Sequence, residues 1–169
     1  MTSYTGRQSG LTVVEIMVTL AIAAVLIGLA LPAFNGFLAQ RALRSDTNAF
    51  ILAVQLARNE ATRRNAAVSV TAADASDNAN EWGPGWCIVV GNGGAGCAAN
   101  LQVFPEVPRA TLDGGVATLT FNARGLLVPT PAADVTFDLC DSDTDVDPGR
   151  TIRVSPIGRV SAIDLDCHP

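Results

Sequence analysis

Lysine is absent: all eleven basic residues of the 169-residue chain are arginine. Without lysine there is no Schiff-base nucleophile and no Gly-Lys-Ser/Thr phosphate loop, so the glycine-rich stretch from Gly91 to Gly96 reads as a flexible turn. Histidine is reduced to His168, penultimate and beside Cys167. No Ser-His-Asp, Cys-His or Gly-x-Ser-x-Gly arrangement can be built around it, so neither catalysis, a cofactor nor a small-molecule substrate is expected. Aromatic residues make up only 5% of a chain that is 49% hydrophobic, which leaves few large groups to fill a core.

The four cysteines, Cys87, Cys97, Cys140 and Cys167, lack the paired CxxC spacing of a zinc site. Two disulfides in an oxidising compartment account for them better. Four cysteines allow three connectivities and the sequence alone does not choose. Cys87 with Cys97, across a short glycine-rich loop, and Cys140 with Cys167, tying back the C-terminal segment, are favoured. Closure of the longer loop is worth roughly 3 to 4 kcal/mol in the chain-entropy description.

Acids outnumber arginines, for a net charge of -5. Asp141, Asp143, Asp145 and Asp147 alternate in "DSDTDVDPG", as calcium ligands do. The glycine and glutamate that an EF-hand loop requires are replaced by Val146 and Ile152, so a solvated acidic turn is expected and no metal site.

The 21 residues from Leu11 to Leu31 form an apolar run interrupted by one acid, Glu15. At about 1.5 Å per residue, a helix of that length crosses a hydrocarbon core of roughly 30 Å. The run is longer than the apolar stretch of a secretory signal, which argues for a retained membrane helix behind the polar leader 1–10. A carboxylate inside such a helix is costly and needs a partner. Pro32 is expected to kink the helix and not to end it, because apolar patterning continues on both sides. Residues 32–65 read as an amphipathic continuation, with Leu38, Ala42, Ala49, Leu52, Ala53 and Leu56 on the apolar face.

From residue 66 to 169 the period changes to two. "VSV" at 68, "WCIVV" at 86, "VATLTF" at 116, "VTFDLC" at 135, "RTIRVS" at 150 and "RVSAID" at 159 read as short strands, the last two joined by a "PIG" turn. One long helix followed by antiparallel strands implies an α+β fold, with the sheet of a head domain packed on the helix.

Gly10 followed by Leu11-Thr12-Val13-Val14-Glu15 resembles the processing site of type IV prepilins and pseudopilins. The glutamate is fifth in the mature chain and Pro32 falls where pilin helices commonly bend; Leu11 replaces the usual phenylalanine. "LARNEATRRNAAVSV", "WGPGWCIVV", "FNARG" and "IRVSPIGRV" are similar to segments of the GspH/FimT group of minor pseudopilins, with the FimT/FimU branch nearer. The resemblance implies cleavage after Gly10 by prepilin peptidase and methylation of Leu11. It implies insertion in the lipid of the bacterial inner membrane and assembly with other pilins or pseudopilins, in a type IV pilus or, alternatively, a type II secretion pseudopilus. It also implies that Glu15 pairs with the N-terminal amine of a neighbouring subunit. Arg7 before the helix and Arg41 and Arg44 after it point to the opposite orientation by positive-inside counting, but the cysteines and the leader place the head in the periplasm. Some FimT-like members bind DNA through Gly-Arg-x-Arg; here the stretch is Gly158-Arg159-Val160-Ser161, lacking the second arginine. Arg150, Arg153 and Arg159 on paired strands are the candidate DNA contacts, opposed by the neighbouring aspartates.

Overall fold

The computed structural model describes residues 12–74, 76, 80–93, 97, 100–142 and 148–167, with the side chains of 30–33, 35 and 148 outside that set. One helix and eight strands follow in order: α1 (Val13–Arg64), β1 (Val68–Ala72), β2 (Trp86–Val90), β3 (Asn100–Phe104), β4 (Ala110–Gly114), β5 (Thr118–Phe121), β6 (Val135–Asp141), β7 (Pro148–Val154) and β8 (Val160–Asp166). The chain divides into two compact units between Phe37 and Leu38.

Both helix ends are written locally. Thr12 caps the start: its Oγ1 accepts the Glu15 N–H at 3.2 Å and its carbonyl accepts the Ile16 N–H at 3.2 Å. Glu15 is therefore the third residue of the helix, where a carboxylate also suits the positive end of the dipole. At the other end Asn65 takes a φ of 51°. Ala66 N–H bonds the Ala61 carbonyl at 3.2 Å and Asn65 N–H the Thr62 carbonyl at 3.4 Å, a left-handed reversal that satisfies two terminal carbonyls. The helix continues through position 32 without ending.

In the unit from Leu38 onward, two four-stranded antiparallel sheets flank the core where the sequence suggested one. Their orders are β3-β2-β1-β5 and β4-β6-β7-β8. β3 and β4 escaped the sequence pattern; β3 is exposed along most of its length, so it shows no burial alternation.

The buried stripe of the helix also differs from the expected one. Ala39, Leu43, Phe50, Val54, Ala57 and Ala61 are buried, with Ala53, whereas Leu38 and Leu52 are exposed. Phe50 decides the rotation. Its ring meets Trp82 and Trp86 edge-on at 5.3 Å each and Phe137 at 4.8 Å, so it reaches the loop before β2, strand β2 and strand β6 at once. Burying that ring on the stripe it shares with Ala53, Val54 and Ala57 outweighs leaving Leu52 in solvent.

β1 is buried on both faces. The chain after β2 covers its outer side: Ser69 Oγ donates to the Gly91 carbonyl at 2.7 Å, and the Cys87–Cys97 disulfide ties this segment to β2. The Cys140–Cys167 disulfide joins β6 to the end of β8 and passes over β7 at Gly149, where a Cβ would collide with Cys167 Sγ.

Phe50→Ala is expected to destabilise the head by about 3 to 5 kcal/mol, the usual cost of deleting a buried aromatic ring. Urea unfolding followed by tryptophan fluorescence measures it, and a loss below about 1 kcal/mol would remove Phe50 from its central place.

Candidate functional site

The first candidate site is the N-terminal part of α1. Every described side chain from Val13 to Leu29 is exposed. Among the described residues no helix is long and apolar enough to cross a membrane; the unbroken run of described side chains ends at Leu29, ahead of the four side chains left undescribed. Glu15 lies on this exposed surface, and its backbone, not its carboxylate, makes the cap bond to Thr12. Gly10 and Leu11 lie outside the described residues, as does the Pro32 side chain.

A second constellation, absent from the sequence reading, centres on Arg58. Its Nε donates to the Gly125 carbonyl at 3.1 Å and its Nη1 to the Gly158 carbonyl at 3.3 Å. Both glycines have φ of 74°, the left-handed region, and a Cβ on Gly158 would stand 2.9 Å from the Gly125 carbonyl oxygen. Glycine is required twice over. The turn at Gly125 is tightened by Asn122, whose Oδ1 accepts from the N–H groups of Arg124 at 2.9 Å and Leu126 at 3.1 Å. The turn at Gly158 is tightened by Ser155, whose Oγ accepts the Arg159 N–H at 3.0 Å. Leu127 N–H closes the gap by donating to the Pro156 carbonyl at 3.1 Å. One guanidinium thus ties the helix to the "FNARG" turn and to the "PIG" turn between β7 and β8. The only trace in the sequence was that three separate resembling segments each held an arginine or a turn glycine.

Arg150, Arg153 and Arg159 are not gathered into one face. Arg150 shares the core side of β7 with Ile152 and Val154, and its Nη2 lies 2.9 Å from Asp164 Oδ1 on β8. Arg153 points to the opposite side, as alternation requires. It pairs with Thr136 and Ser161 in register, one step from Asp138, which itself faces Asp113 across β4 and β6. Arg159 stands in the turn before β8, outside the paired strands. Two of the three expected cations are therefore paired with or bordered by carboxylates, an arrangement unfavourable to a phosphate backbone. Of the alternating aspartates, Asp141 is buried, and Asp143, Asp145 and Asp147 lie outside the described residues.

At the end of α1, Glu60 accepts from both neighbouring arginines: Arg63 Nη2 at 2.6 Å and Arg64 Nε at 2.7 Å share its Oε2. These hydrogen bonds, Arg63's first, hold the Glu60 carboxyl down at about 2. Asp46 is displaced the other way, upward, by burial.

The family profile described as type II transport protein GspH matches residues 46–158, two thirds of the chain, and the prokaryotic N-terminal methylation motif matches residues 5–31. The chain belongs to the GspH family. It is similar to the type IV minor pilin FimU of Pseudomonas aeruginosa in two crystal forms. Each is 30% identical; one covers 75% of this chain and 100% of the other with a TM-score of 0.58, the second 78% and 99% with 0.60. The minor pseudopilin EpsH of the Vibrio cholerae type 2 secretion system shares the fold at 10% identity, over 72% of this chain and 96% of that one, with a TM-score of 0.50. No curated protein matches. GspH-family chains are type IV pilin-like structural subunits, which accords with an α+β head carried on a long N-terminal helix. The Arg58 clamp falls within the matched region and joins segments drawn from its beginning, middle and end.

Arg58→Ala is expected to cost about 2 kcal/mol, as for hydrogen bonds from a charged donor, and to open both turns to proteolysis while the disulfides remain formed. Denaturant midpoints and limited digestion report the two effects. For Glu60 the folded carboxyl is depressed, so its stabilisation is complete above the ordinary value of 4.5 and is lost as pH falls through about 2. The stability difference between the native head and Glu60→Gln is accordingly expected to shrink between pH 4.5 and pH 2 in thermal melts.

Proposed function

We propose that this chain is a minor subunit of a type IV pilus, with a role in initiation or at the tip. It is made as an inner-membrane precursor, cut after Gly10 by prepilin peptidase and methylated on Leu11. The observation that carries this reading is the contrast within α1. The Val13–Leu29 surface is apolar and wholly exposed, whereas the unit from Leu38 onward holds a complete core and two disulfides. A surface of that kind requires lipid before assembly and other pilin helices after it. The run from Leu11 to Leu31 is the span, and the disulfides call for an oxidising compartment, the periplasm, on the head side.

Glu15 is the switch between the two environments. Its carboxylate sits in the first helical turn, near the N-terminus that cleavage would create, and a charge left unpaired in lipid is costly. An amine from the adjacent subunit offsets that cost only inside the fibre. The likeness to FimU at 30% identity favours the pilus over the secretion machine, since EpsH shares the fold alone. The separation of Arg150 from Arg153 and Arg159 gives DNA binding no support.

Glu15→Ala in the full chain tests the reading. Membrane insertion is expected to be unchanged and recovery in sheared fibres to fall at least about tenfold, the ratio that about 1.4 kcal/mol of lost pairing produces. Normal incorporation of the variant would refute the pairing role.

A further inference from the structure

The two sheets of the head have four edges, and three of them are guarded. β5 is covered by the following segment, through the Phe121–Leu127 bridge and a 2.9 Å bond from the Val128 N–H to the Thr120 carbonyl. β8 carries Asp164 and Asp166, and β4 carries Asp113, charges that discourage strand addition. β3 is different. It ends its sheet, contains no charged residue and no proline, and leaves Leu101 41% and Val103 55% exposed.

Beside this edge, uncovered among the described residues, lies a cleft of about 210 Å³ between the last turns of α1 and β3. Leu56, Ile88 and Leu101 form its apolar part, and Gln102 with the Glu60 cluster forms its rim. That cluster is not balanced. Arg63 and Arg64 share the single carboxylate of Glu60, and the Arg63 side chain is 66% exposed, so one positive charge and several N–H donors face the cleft mouth.

We infer that the β3 edge is an interaction surface that accepts an extended, carboxylate-bearing strand from a neighbouring fibre subunit. Main-chain hydrogen bonds along β3 provide the pairing, an apolar side chain of the incoming strand fills the cleft, and its carboxylate meets Arg63 or Arg64. A strand with an apolar residue and a carboxylate two positions apart presents both on the side of the cleft, and the surplus arginine charge at its rim selects the acid. Pairing of β3 with a different surface of the neighbour is heterologous, so the contact does not close on itself. The inference rests on the pilin-like assembly proposed above.

The test places a benzophenone side chain at position 102 of the full chain in cells that build the fibre, with irradiation before shearing. The expected product is a cross-link to another fibre subunit, mapped by peptide sequencing to a strand that contains aspartate or glutamate. Val103→Lys, which charges the edge without touching the core, and Arg63→Glu, which inverts the rim, should each lower its yield at least tenfold while leaving the amount of folded, oxidised chain unchanged. Fibres that contain the chain but give no cross-link, a cross-link to a helix or to a non-fibre protein, or a yield indifferent to both substitutions overturn the edge pairing and leave the pilin-like assembly standing. Absence of the unsubstituted chain from fibres overturns both.

Discussion

Everything in the head is arranged around the ring of Phe50. It projects from the helix into Trp82, Trp86 and Phe137, and Trp82 in turn meets Phe137 edge-on at 5.2 Å. With aromatics so scarce in the chain, collecting four of them at one point makes a single helix residue the common wall of both sheets. The buried helix positions that follow it, Ala53, Val54 and Ala57, are small, and the rotation of the helix follows from the ring rather than from the count of leucines.

Arg58 does for the turns what Phe50 does for the sheets. Two left-handed glycines bring the "FNARG" and "PIG" turns within contact of each other, and their carbonyls would lack donors without the guanidinium between them. A charged group is suited to the task because its planar fork serves two acceptors at once. The same economy appears at the C-terminal disulfide, which skips over β7 only because Gly149 has no side chain beneath it.

A subunit that assembles faces two opposite demands. Its helix must display apolar surface, and its head must not aggregate through its strand edges. Charges on β4 and β8 and the strap over β5 meet the second demand, which makes the uncharged β3 edge the exception. An exception of this kind has a physical meaning in a fibre subunit, because open association needs one surface that is left available.

Local chemistry was legible in the residues themselves. The apolar run, the helix end near Asn65, the change of period at residue 66 and six of the eight strands depend on neighbours in the chain, and the α+β architecture follows from them. What escaped depends on partners distant in sequence. The division into two sheets, the exposed β3, the buried stripe through Phe50 instead of Leu52, and the Arg58 clamp spanning 67 and 100 residues are set by which groups meet once the chain is closed. The three C-terminal arginines show the limit most clearly. Their spacing allowed a shared face, but an odd offset between Arg150 and Arg153 turns them to opposite sides of one strand, and only the register with β8 delivers Asp164 to Arg150.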